Sequence, residues 1–552
     1  MDINQLTVYQ IYPKSFNDSD GDGIGDIQGI IDKLDYLAEL GVNCLWLTPI
    51  YPSPQKDNGY DVADYTAINP TYGTMADFDQ LIAEAKARDI MLMLDMVFNH
   101  SSDQHPWFQQ ALAGDPLYRE YYVFKTAHTP PTNWVSKFGG SVWEPVSDTG
   151  SYYLHLFDKT QPDLNWENPQ LRQEVYDILN FWLEKGIRGF RLDVINLISK
   201  GDYVDDHQGD GRRFYTDGPK IHDYLKEMHQ QTFANYTGTV TVGEMSSTTL
   251  AHCVRYSNPA EKELDMTFSF HHLKVDYVDG EKWSDWSATS PDGAKFDFMA
   301  LKKLLFDWQI GMAARGGHNA LFWCNHDQPR AISRFGNETL ASGQMLATAL
   351  HLLKGTPYIY QGEELGMTNA NFTTIDQYRD VESLNYYHIL QAQGKPEDEI
   401  LHILRQKSRD NSRTPMQWDG SAHSGFTTGT PWIQVIDNYP SLNAEQVVSN
   451  PASLFHHYKQ LVSLRKTQPV IAQGSFEPVL ADHPQVFAYL RKHEGQSLLV
   501  VNNFFDQVVA VTPTAQMLAF AHAPTLISNQ PDRQWHDVLT LRPYESFGLL
   551  LG

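Results

Sequence analysis

The chain has 552 residues, enough for two or three domains, one of them large. Its 42 basic against 67 acidic residues give a formal charge of −25, which excludes nucleic acid and anionic membrane surfaces as partners, since phosphate-rich surfaces would be repelled. The three scattered cysteines, Cys44, Cys253 and Cys324, lack both disulfide and metal-ligand patterning.

In chain order, the opening MDINQLTVYQIYPKSF has no basic segment followed by an apolar run, so no signal peptide is read there. No later stretch approaches the ~20 apolar residues of a membrane helix. A cytoplasmic protein is expected, with no membrane span and no obligate protein partner. Residues 7–12 form the first predicted strand. The loop after it, Asp18-x-Asp20-x-Asp22-Gly23-Ile24-x-Asp26, alternates hard oxygen ligands around a Gly turn, much as EF-hand loops begin. Asp18, Asp20, Asp22, the Ile24 carbonyl and Asp26 are the expected ligands of a structural Ca²⁺.

Further apolar, β-rich runs follow at 44–47, 90–97, 189–192, 240–242, 266–270, 320–324 and 357–360, separated by amphipathic stretches such as PQLRQEVYDILNFWLEKG. Eight strands with intervening helices predict an α/β fold, a (β/α)8 TIM barrel, although alternation alone also suits a doubly wound sheet. The barrel is assigned to 1–100 and 167–473. A Pro-, Gly- and aromatic-rich subdomain, 101–166, is inserted after strand 3, and an irregular excursion at about 369–428 follows strand 8. From 474 to 552 short alternating strands (SFEPVLA, VFAYLRK, SLLVVNNF, YESFGLLLG) predict an antiparallel β-sandwich domain.

Polar residues cluster just after the strands: Asn99 and His100 after the third, Asp193 after the fourth, Glu244 after the fifth, His326 and Asp327 after the seventh. All strand C-termini of such a barrel open on one face, where catalytic groups sit. A lone acid at a strand end is better read as a helix N-cap, but three acids at equivalent positions, with two His and an Arg, are not. Glycoside hydrolysis needs such a pair of carboxyls, one nucleophile and one acid that later acts as base. Arg191, on the same strand face as Asp193, is expected to hold that carboxyl ionised. Glu244 is expected in a drier setting beside another negative charge, keeping its proton.

At these residues the chain resembles the α-amylase superfamily, glycoside hydrolase family 13. DMVFNH (Asp95–His100), GFRLDVI (Gly189–Ile195), VGEM (Val242–Met245) and NHDQPR (Asn325–Arg330) resemble its four signature regions, and QPDLNW (Gln161–Trp166) a fifth. The resemblance implies Asp193 as nucleophile, Glu244 as acid/base and Asp327 as the acid that grips sugar hydroxyls. It implies His100, Arg191 and His326 as contacts in the −1 subsite, with Phe138 and Phe157 added as substrate-binding rings. Many members bind Ca²⁺ at the Asp-rich loop.

Within the superfamily the chain is similar to the oligo-1,6-glucosidase group. DNGYDVADY (Asp57–Tyr65) implies Asp57 as a hydroxyl ligand and Tyr60 as a stacking ring. SRDNSRTPMQW (Ser408–Trp418) implies that Arg413 closes the pocket with Asp57, as in an exo-acting enzyme. Val194, after the nucleophile, matches members acting on α-1,6 and α,α-1,1 bonds, though it also reads as a β-branched strand residue. GRRFYTDGPKIHDYLKEM (Gly211–Met228) and FSFHHLKVDY (Phe268–Tyr277) most resemble members that hydrolyse trehalose 6-phosphate. A phosphorylated sugar explains Lys274, Lys282 and either Arg212 or Arg213 near the mouth of so acidic a chain; as lone surface cations they read equally as solvated. An oligo-1,6-glucosidase remains the alternative. A sucrose isomerase is expected to carry an arginine-rich RLDRD-type loop, which does not follow NHDQPR.

Overall fold

The barrel strands are β1 (Val8–Ile11), β2 (Cys44–Leu47), β3 (Met91–Met96), β4 (Gly189–Leu192), β5 (Val240–Met245), β6 (Met266–Ser269), β7 (Ala320–Leu321) and β8 (Thr356–Tyr360). The computed structural model describes residues 2–552 apart from 148, 291–292, 533 and 536. Neighbours pair in parallel from β1 to β6, and β8 joins β1 to β7. A parallel bridge between Thr267 and Asn319 closes β6 on β7, so the sheet is a barrel and not doubly wound. Strand β7 is shorter than expected: after Leu321 the chain leaves the ladder, and the Cys324 thiol folds back onto the carbonyls of Gln328 and Pro329.

The helices form where the sequence provides caps and apolar faces. In Pro169–Glu184, Asn168 accepts from the backbone N–H of Gln170 and Leu171, and Pro169 occupies the first turn. Leu171, Val175, Ile178, Leu179 and Trp182 then recur at helical spacing and are buried. Among the described residues no helix is long and apolar enough to cross a membrane.

Between β3 and β4 the chain builds a small three-stranded antiparallel sheet from Phe124–Thr126, Trp143–Val146 and Ser151–Leu154. After β8, helices Val381–Ala392 and Glu397–Lys407 share an apolar cluster with Trp283, Phe372 and Tyr378. The C-terminal sandwich sets five strands against three. In its strand Val486–His493 the alternation is split between two interiors. Val486, Ala488 and Leu490 face the second sheet, whereas Phe487 and Tyr489 belong to the barrel's core.

Candidate active site

One pocket at the C-terminal end of the strands is lined by Asp193, Glu244 and Asp327 together with Asp57, Tyr60 and His100. The inserted subdomain contributes Phe138 and Phe157, rings 5.5 Å apart, and Phe157 stands 5.1 Å from the His100 ring. Lys274 and Lys282 line the same pocket. Residues as far apart as Asp57 and Asp327 are therefore brought together at one face of the barrel.

Arg191 lies beneath the acids, 1 % exposed, and bridges them. Its Nη1 donates at 2.6 Å to Asp193 Oδ1 and at 2.6 Å to Asp95 Oδ1, while Nη2 donates to Glu244 Oε2. Burial pushes the Asp193 carboxyl up, Arg191 pulls it down and Asp95 adds to the rise, with the balance at about 7. Arg191 thus pulls the Asp193 carboxyl down as expected, but burial outweighs it. Glu244 shares that guanidinium with Asp193, so the anion expected beside it is accompanied by a cation in direct contact.

Asp327 behaves in the opposite sense. Burial opposes its ionisation, but the facing His326 and the guanidiniums of Arg409 and Arg413 hold it well below the usual carboxylate range. His326 is itself driven down to about 3 by burial, despite Asp327, and His100 to about 4. Both rings are neutral hydrogen-bonding groups near pH 7. His326 is fixed by Gln10, 2.7 Å from its Nδ1, and stacks on Tyr60 at 5.0 Å. His100 Nε2 lies 3.1 Å from the Tyr60 carbonyl, and the Tyr60 hydroxyl donates to Asp95 at 2.8 Å.

Directly after Asp193, Val194 adopts φ 35° and ψ 39°. A β-branched residue in the left-handed region is a backbone outlier. It turns the chain out of β4 into a short 3-10 helix, Ile195–Leu197, while the Asp193 N–H stays bonded to the Met96 carbonyl at 2.9 Å.

A family model described as the α-amylase catalytic domain matches residues 10–474, and one described as the α-amylase SusG C-terminal domain matches 486–547. The chain belongs to the α-amylase family. This family member is 55 % identical to trehalose-6-phosphate hydrolase of Bacillus subtilis, over 98 % of this chain and 97 % of the relative. It is 46 % identical to an oligo-1,6-glucosidase of Halalkalibacterium halodurans, over 98 % and 97 %. Among solved structures, trehalose-6-phosphate hydrolase of Bacillus licheniformis superposes with a TM-score of 0.93 at 53 % identity, covering 100 % of this chain and 99 % of that one. Isomaltulose synthase of Klebsiella sp. LX3 gives 0.94 at 37 %, with 100 % of each covered.

The lid of this α-amylase-family pocket differs from expectation. Arg409, not Arg413, reaches Asp57, with Nη2 2.9 Å from Oδ1. Arg413 is turned inward, 2.7 Å from Asp327 Oδ1 and bonded to the His326 carbonyl at 2.9 Å. Arg409 also touches Asp327 at 3.3 Å and Asp380 at 2.5 Å. Asp380 caps the helix Val381–Ala392, and Glu382, two residues on, completes the wall. Arg409, Asp380 and Glu382 were absent from the sequence reading. Of the surface arginines, Arg212 pairs with Asp210 and Arg213 with Asp206; neither lines the pocket.

The Asp-rich loop lies apart from this pocket. Asp18, Asp20 and Asp22 each offer a carboxylate oxygen, all within 4.8 Å of one another. Burial, and the crowding of Asp20, Asp18 and Asp26, raises the Asp22 carboxyl. Gly23 has φ 95° and a Cβ there would lie 1.9 Å from the Thr430 carbonyl, so the turn demands glycine. Asp26 stands outside the three-carboxylate group: it caps the helix Ile27–Asp32, accepting from Gly29 at 2.6 Å and from Ser19 at 2.8 Å.

Proposed function

We propose that this chain is a retaining, exo-acting α-glucosidase that hydrolyses trehalose 6-phosphate to glucose and glucose 6-phosphate. Asp193, ionised, attacks the anomeric carbon while Glu244 protonates the departing oxygen, leaving a glucosyl ester on Asp193. Glu244, now deprotonated, takes a proton from water, which displaces Asp193 and restores the starting configuration. Asp327, kept anionic by its arginines, accepts hydroxyl protons of the −1 glucose, and the Arg409–Asp57 pair closes the far end, so single glucose units leave.

The observation that carries the phosphate reading is Lys274. Among the described residues it has no ion-pair partner, yet it lines the pocket that holds the three acids. An unpaired ammonium in a chain of formal charge −25 suits an anionic leaving group. The higher identity to trehalose-6-phosphate hydrolase than to oligo-1,6-glucosidase supports the same reading. Comparing kcat/KM for trehalose 6-phosphate, isomaltose and an uncharged aryl α-glucoside tests it. The phosphorylated disaccharide should lead, and Lys274→Ala should raise its KM alone. Faster hydrolysis of isomaltose, or equal losses on all substrates, would remove the assignment.

We further infer that the loop at 18–26 holds Ca²⁺ through the carboxylates of Asp18, Asp20 and Asp22, the Ile24 carbonyl and the lone pairs that capping leaves on Asp26. The ion would neutralise the three crowded acids and brace the loop against residues 427–432, which bond to it through Thr427 and Trp432. A cytoplasmic location belongs to this reading; the three buried, unpaired cysteines suit a reducing compartment.

A further inference from the structure

Glu382 faces the pocket but takes no part in the steps above. It occupies the first turn of the helix Val381–Ala392 and is 7 % exposed. Its Oε2 lies 2.7 Å from Lys282 Nζ and 3.4 Å from Arg409 Nε. A single oxygen therefore touches a lysine on the pocket wall and the arginine that grips Asp57 and Asp327. The two lysines of the wall differ accordingly: Lys274 is unpaired among the described residues, and Lys282 is tethered.

We propose that Glu382 is a positioning residue that competes with the leaving group's phosphate for Lys282, and thereby sets how tightly the phosphorylated product is held. The inference rests on the phosphosugar reading above. A phosphate approaching Lys282 meets an ammonium whose charge is already balanced at 2.7 Å. Binding must draw Lys282 off Glu382, and the carboxylate then falls to Arg409 alone. After cleavage the exchange runs backward: Glu382 retakes Lys282 and glucose 6-phosphate departs. Lys274 supplies attraction, whereas the Lys282–Glu382 pair limits it.

The test uses the full chain and measures competitive inhibition by glucose 6-phosphate and by glucose, with an uncharged aryl α-glucoside as substrate. Glu382→Gln should lower the inhibition constant of glucose 6-phosphate by roughly two- to fivefold, the scale of a partly exposed ion pair, without tightening glucose. Glu382→Asp, one methylene shorter, should give a smaller shift in the same direction. Lys282→Met should weaken glucose 6-phosphate, and the double variant should match Lys282→Met, because the glutamate acts through the lysine. If Glu382→Gln leaves glucose 6-phosphate binding unchanged, or weakens both ligands together, Glu382 only shapes the wall and the proposal fails. Wild-type enzyme that ignores trehalose 6-phosphate would instead overturn the function assigned above.

Discussion

Arg409 reaches Asp57 across 352 positions of sequence, its Nη2 standing 2.9 Å from the carboxylate. Asp57 needs that contact. Burial pushes its carboxyl up to about 7, Arg409 and Arg413 pulling against the rise. Removing Arg409 leaves an anion buried without its nearest cation.

Arg409→Met should therefore cut kcat/KM by about two orders of magnitude or more on every glucoside, as truncating one partner of a buried charge pair does. Arg409→Lys should recover little of it, because one ammonium cannot serve Asp57, Asp327 and Asp380 in the fork that the guanidinium provides. Steady-state kinetics on an aryl α-glucoside would show this; near-wild-type turnover by the lysine variant would refute the clamp.

The nucleophile predicts a pH dependence. A carboxyl raised to about 7 is protonated, and so inactive, below that value. In the free enzyme kcat/KM should fall about tenfold per pH unit below roughly 7, measured on an uncharged substrate so that phosphate ionisation does not enter. Asp95→Asn removes a charge that raises Asp193 and leaves more of Arg191 to it, so the acid limb should move to lower pH. A limb that stays in place, or moves upward, contradicts this electrostatic scheme.

Val194 sets strain against burial. Its left-handed backbone costs about 1–2 kcal/mol, and its buried side chain returns about 1.5–3 kcal/mol. Val194→Gly should accordingly change stability by only about 1 kcal/mol. Val242→Gly, in regular strand and fully buried, should cost about 2–4 kcal/mol. Calorimetric melts of the two variants make the comparison. Val194→Gly should also lower kcat, since the flanking nucleophile loses its fixed backbone.

If the Asp-rich loop binds Ca²⁺, the ion stabilises the fold by about 2.7 kcal/mol at a hundredfold excess over Kd. The melting temperature should rise with Ca²⁺ and drop with chelator, and Asp20→Ala should abolish the response. Identical melts with and without chelator would count against the ion.

Much of the site was legible because the barrel converts sequence position into place. Acids that end β4 and β5, and the one following β7, must meet at one face, and the signature runs around them pointed to the family. Arg409 was not legible, because SRDNSRTPMQW holds two arginines one helical turn apart and the motif does not say which faces Asp57. Asp380 and Glu382 lie on a helix of the irregular excursion, where no strand end marks a residue as inward. The acidity of Asp193 was misjudged for a related reason: a sequence shows the neighbouring arginine but not the depth of burial, nor Asp95 on the adjacent strand. The short β7 escaped because Phe322–Cys324 is apolar enough to read as strand, and its departure depends on bonds made by Cys324 to residues further on.

The split alternation of Val486–His493 ties the two ends of the molecule together. Phe487 stacks 5.2 Å from Phe306 on a barrel helix, Tyr489 donates to the Ala349 carbonyl and Arg491 to the Leu352 carbonyl. The sandwich is thus a wall of the barrel's own interior as well as a unit beside it. Cutting the chain at the junction would bare an apolar helix flank and strand the carbonyls that these side chains satisfy, so the catalytic half has no finished surface of its own on that side.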